Sequence, residues 1–133
     1  MSYYCIRENG KNKRIPIIEE KDEMSLDVYL RIKTQKSEVT VYHDNITHNL
    51  GKMAGEAGLY KVLWRPDENG YKRAEQIIPV LRDGLALLGS DPQRLLAFNP
   101  ENGWGDYYGL VDFVKEYLEA CEEFPEAVID VSR

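Results

Sequence analysis

The chain of 133 residues is poor in the side chains that most often announce chemistry. It has two cysteines, two histidines, two tryptophans and three phenylalanines. Two cysteines cannot supply the four ligands of a structural zinc site. Cys5 and Cys121 stand near opposite ends, and the first eight residues lack a positive start followed by an apolar stretch. A reduced, cytoplasmic setting is therefore expected. No apolar run exceeds a handful of residues, which excludes a transmembrane helix by hydropathy. Basic residues are also short: 17 against 23 acidic ones, a net charge of −6. That disfavours a direct electrostatic grip on nucleic acid, which needs a basic face. It leaves open an acidic surface that docks a protein partner.

Catalytic signatures are missing as well. There is no Gly-x-Ser-x-Gly, and no cysteine stands beside a histidine. Gly10-Lys-Asn-Lys-Arg14 lacks the glycine spacing of a phosphate loop. The carboxylates are many and scattered, so no acid/base pair can be singled out. His43, Asp44 and His48 contain potential metal ligands, but five-residue histidine spacing is not that of a helical zinc pair. No metal and no cofactor is expected. Asn45-Ile-Thr47 matches a glycosylation sequon, which has no meaning without export.

The length suits one domain. Residues 1–23 read as an accessory hairpin or arm: residues 2–7 and 15–18 are strand-like, with Asn9-Gly10 as turn signal and Pro16 confining the second strand to an edge. A charged run, residues 19–23, leads to a single domain over residues 24–133. There Leu26, Val28, Leu30 and Ile32 alternate with Asp27, Tyr29 and Arg31, predicting a half-buried strand. Val39 and Val41 predict a second strand, antiparallel to the first across a short turn. The spacing of Ile46, Leu50, Met53, Ala54 and Ala57 predicts a helix capped by Asn45, with Gly51 and Gly55 on one side inviting close approach of a backbone or ligand. A long helix is predicted over residues 71–88 with Pro79 inside it, a short one from Pro92, and a last one capped by Asp106, with Cys121 on its apolar face. Residues 127–131 read as a closing strand. The whole is an α+β fold: a small, mostly antiparallel sheet with about three helices packed on one face.

Three irregular segments interrupt this routine pattern: residues 42–49, residues 63–66 and residues 98–108. The first brings Asn45, Thr47, His48 and Asn49 to a strand–helix junction. A helix start is a natural anion site, and the same residue types also serve as plain caps. The second sets Trp64 beside Arg65. These are a core anchor with a paired cation, or a stacking ring with a bidentate anion clamp. The third holds Asn99, Asn102 and Trp104, the indole flanked by glycines and either plugged into the core or offered to a ligand.

From Met24 onward the chain resembles a family of small uncharacterised proteins of bacteria, their phages and prophages. The resemblance rests on residues 24–30, residues 45–54 with their Ile-Thr-His-Asn-Leu core, Leu63-Trp-Arg-Pro66, Asn99, Asn102-Gly-Trp-Gly105 and the terminal Val131-Ser-Arg133. It covers about four-fifths of the chain and carries no established activity. It implies a cytoplasmic protein of mobile-element type.

The expectation is a non-catalytic binding protein. Asn45, Thr47, His48, Asn49, Trp64, Arg65, Asn99, Asn102 and Trp104 would converge on one cleft for an anionic or nucleotide-like small molecule, with antagonism of host defence by sequestration as the biological setting. Two alternatives stand beside it. One is an inhibitor that binds a host protein through acidic surface. The other is a small hydrolase with His48 as base.

Overall fold

A computed structural model describes residues 3–8, 11–16, 25–100 and 105–133. Two strands, β1 (Tyr3–Glu8) and β2 (Lys11–Pro16), pair antiparallel from Glu8↔Lys11 to Tyr3↔Pro16. Asn9 and Gly10, expected as the turn, lie outside the described residues. Ile17 and Ile18, expected in the second strand, lie outside the described residues.

The main sheet has the order β4-β3-β5, with both neighbours antiparallel to the centre. Its strands are β3 (Ser25–Lys33), β4 (Glu38–Thr47) and β5 (Val128–Ser132). Alternation along β3 sends Leu26, Val28 and Leu30 into the core, each fully buried. The register slips between Leu30 and Arg31, so that Leu30 faces Tyr42 and Arg31 faces Thr40. Val41 is the extra residue of that bulge.

Five α-helices occur among the described residues: α1 (Gly51–Glu56), α2 (Tyr60–Trp64), α3 (Ala74–Ser90), α4 (Pro92–Leu96) and α5 (Tyr107–Glu123). Only α3 and α5 are long. Their stripes, Ile77, Leu81 and Leu88 with Leu110, Val114, Tyr117 and Cys121, close over the sheet. Burial pushes the Cys121 thiol up to about 12, so it stays a neutral, inert part of the core.

Side chains and strand ends satisfy the helix termini. Asp106 accepts from the Gly109 amide (2.8 Å), and Asp91 from that of Arg94 (3.3 Å). The start of α3 is stitched to the approach to β5: Ala74 N donates to the Ala127 carbonyl (2.9 Å) and Glu75 N to that of Pro125 (2.8 Å). Arg73 forms a bridge with Val128, and for that reason the helix begins at Ala74 rather than at Tyr71. At the other end, the Tyr107 hydroxyl donates to the Leu88 carbonyl (2.6 Å) and joins α5 to α3. Pro79 is accommodated within α3, which runs past Gly89 to Ser90.

The helix expected from residue 45 begins later. Strand β4 continues through Asn45 and Ile46 to Thr47 because β3 offers partners for them, Asp27↔Asn45 and Ser25↔Thr47. A single 3-10 turn, His48–Leu50, then leads into α1. Thr47 rather than Asn45 is the cap, accepting from the Asn49 amide (3.3 Å).

Candidate functional site

The end of β4 distributes its polar side chains over both faces of the sheet. On the face away from the helices, Asp27 Oδ1 accepts from His43 Nε2 (3.0 Å) and from Asn45 Nδ2 (3.0 Å). The same amide nitrogen lies 2.9 Å from Ser25 Oγ. The Tyr29 ring stacks on His43 (4.6 Å between centroids, 15° between planes), and the Arg31 guanidinium lies 4.8 Å above Tyr29. Asn45 is thus a crosslink between β4 and β3, its side chain engaged by Ser25 and Asp27 rather than by the amides of the following helical turn.

The junction that follows β4 carries a different arrangement. The Trp64 indole N–H donates to His48 Nδ1 at 2.8 Å. Trp64 is 3% exposed and joins the core, whereas His48 is half-buried. Tyr60, one turn earlier in α2, stacks on the indole (5.6 Å, 14°). Gly51 faces the Tyr60 ring, but a side-chain carbon there would lie 3.6 Å from it, an ordinary contact distance, so the ring does not demand glycine. Arg65 follows directly, its side chain 42% exposed and held by Glu68 (3.0 Å). Arg133 closes the turn from behind. It donates to the Trp64 carbonyl (3.1 Å) and grips both oxygens of Asp67 (2.7 and 3.3 Å).

Partial burial and the nearby Arg65 charge hold His48 below the ordinary imidazole range, against a smaller opposing pull from Asp27. A lone pair at Nδ1 is required to accept from the indole, which can only donate. A general base at this position would have to break that bond first. Asn49 keeps its amide nitrogen buried without a partner among the described residues.

Of the nine residues expected to converge, His48, Trp64 and Arg65 are brought together, with Thr47 and Asn49 adjoining in the chain. Asn45 points to Ser25 and Asp27. Asn99 is a structural brace whose Oδ1 accepts from the Tyr107 amide (2.9 Å) at the start of α5. Asn102 and Trp104 lie outside the described residues. His43 and His48 are engaged by Asp27 and Trp64, and no group of three metal-ligating side chains occurs among the described residues.

Sequence reasoning passed over a second feature. A cleft of about 320 Å³ lies between the end of β4 and the first half of α5. Asp44, Asp112 and Glu116 line it with Thr47, Leu50, Phe113, Gly105 and Gly109. Asp44 accepts from the Tyr42 hydroxyl (3.1 Å) and from the Asn45 amide (2.8 Å). Burial nevertheless raises its carboxyl above the ordinary range. Glu116 is also raised, by partial burial first and then by the negative charges of Asp44, Asp112 and Glu119. Asp112 and Glu116 sit four apart on α5, a visible pairing. Their meeting with Asp44 belongs to the tertiary packing and left no local signal.

No helix among the described residues is long and apolar enough to cross a membrane. Comparison of the chain with protein-family models, curated proteins and solved structures finds no match.

Proposed function

We propose that the chain is a non-catalytic binding protein that takes an anionic, nucleotide-like small molecule at the junction of β4, α1 and α2. The observation that carries this reading is the Trp64–His48 hydrogen bond, which seats a half-buried imidazole beside the exposed cation of Arg65. An imidazole N–H and a guanidinium side by side suit phosphate or carboxylate oxygens. Catalysis with His48 as base is disfavoured by the same bond, since the ring's lone pair is engaged.

Titration calorimetry with a panel of nucleotides and with inorganic phosphate tests the reading. Binding by one member is expected, weakened at least about tenfold in Arg65→Ala, as for loss of a charge-assisted hydrogen bond. Silence across the panel, or full affinity in the variant, contradicts it.

The acidic cleft favours a second reading, docking of a basic partner protein. It contains three carboxylates and no basic side chain among its lining residues. Chemical-shift mapping with arginine amide distinguishes the two. Shifts at Asp112 and Glu116 support the docking surface, and shifts at His48 and Arg65 do not.

A further inference from the structure

The contact between Trp64 and His48 has consequences beyond placement. An indole nitrogen donates and never accepts. At 2.8 Å from Trp64 Nε1, His48 Nδ1 must therefore carry the lone pair. Neutral imidazole has one N–H, and with Nδ1 accepting, that hydrogen lies on Nε2. Imidazolium has a hydrogen on both nitrogens and would set two donors against each other. Trp64 cannot turn away to water, being 3% exposed. Its ring is held by the Tyr60 stack at 5.6 Å. Breaking the bond would leave a buried indole N–H without a partner.

The surroundings act in the same direction. From the end of α2, the Arg65 guanidinium opposes a second positive charge on the ring. From β3, Asp27 favours that charge, but its carboxylate is already engaged by His43 and Asn45. Tyr60 from α2 adds a stacked ring and no charge beside the indole. His48 Nε2 has no hydrogen-bond partner among the described residues, and the ring is only half-buried.

We propose that Trp64 is a positioning residue, whose N–H fixes His48 as the neutral Nε2–H tautomer and so makes it an uncharged donor beside Arg65, specific for a ligand's acceptor oxygen. The ligand half of this statement rests on the anion-binding reading above. The tautomer half stands on the protein alone. The site would then read an oxyanion with one permanent cation and one neutral donor. Its affinity would stay level where a free imidazole would be gaining charge.

Nitrogen NMR on the intact, uniformly labelled chain tests both halves separately. With two histidines and two tryptophans, the ring signals are few enough to assign. Long-range proton–nitrogen spectra are expected to show His48 as the Nε2–H form. A scalar coupling should cross the hydrogen bond from Trp64 Nε1 to His48 Nδ1. Both should persist below pH 6.5, the ordinary imidazole midpoint. In Trp64→Phe the His48 midpoint should rise toward the ordinary value and the tautomers should mix. Should that variant not fold, the wild-type coupling and tautomer decide alone. An Nδ1–H tautomer, or titration of His48 at its ordinary midpoint with the indole signal unmoved, overturns the proposal. Inorganic sulfate, which stays dianionic across this range, added to the same sample should shift the His48 Nε2–H signal equally at pH 6 and pH 8. An unmoved signal there, with the tautomer as expected, removes the binding reading and leaves Trp64 as the residue that sets the imidazole.

Discussion

Single residues show where local pattern and tertiary space part company. Gly51 and Gly55 stand out in the sequence because four-residue glycine spacing suggests close approach. In the fold, a methyl at Gly55 would be 3.9 Å from the nearest atom, on Tyr60. Gly84, a lone glycine inside the stripe of α3, draws no attention in the sequence. Yet a side-chain carbon there would fall on Leu59, itself fully buried. Opposite signs follow for the same substitution. Gly55→Ala should raise stability by about 0.5–1 kcal/mol, because alanine restricts the unfolded chain and fits the helix. Gly84→Ala should lower it by about 1–3 kcal/mol through overpacking. Urea unfolding of both variants checks the pair, and a stabilised Gly84→Ala would mean that Leu59 can move aside. The periodicity of hydrophobic residues was thus legible, and so was the inert burial of Cys121. The position of the true steric constraint was not, since it depends on which side chain another segment pushes against the helix.

At the scale of elements, the strands of the main sheet, the two long helices, the Asp106 cap of α5 and the short helix that opens at Pro92 are all present in the sequence pattern. The elements shifted where another strand competed for the backbone. Asn45 reads as a cap, but pairing with Asp27 keeps β4 extended for two residues more. Tyr71 reads as helical, but bridging of Arg73 to Val128 delays α3. The segment around Trp64 was legible as an irregular, residue-rich junction. The element that holds it was not, because Arg133 reaches it from the far end of the chain. That arginine meets the Trp64 carbonyl at the C-terminal end of α2, where an unsatisfied acceptor and the negative end of the helix dipole favour a cation. Arg133→Ala should therefore loosen the turn over residues 65–70 with little change in the global melting temperature. Amide hydrogen exchange checks it. Faster exchange confined to that turn is expected, and unchanged protection there would show that the Asp67 grip is dispensable.

Across the whole molecule, the excess of acid is not spread evenly. Asp44 from the sheet and Glu116 from α5 meet at the cleft between β4 and α5, with Asp112 beside them. Both Asp44 and Glu116 are held above their ordinary values of 3.8 and 4.5. A carboxyl raised on folding binds its proton more tightly in the native state than in the unfolded chain. Its effect is absent below the ordinary value and grows as pH rises through the raised one, where the native state must ionise a group its surroundings disfavour. These two groups therefore lower stability toward neutral pH, the reverse of a salt-bridged carboxylate. Glu116→Gln removes one negative charge without shortening the side chain. It should stabilise the protein at pH 7 by a few tenths to about 1 kcal/mol, discounted because Glu116 is largely exposed to solvent. The gain should shrink on acidification and vanish near pH 3, where wild-type Glu116 is itself neutral. Denaturation midpoints of the two proteins across that range decide the matter. A gain that stays constant with pH would trace the effect to packing, and a loss at pH 7 would mean that a partner cation holds the cleft together.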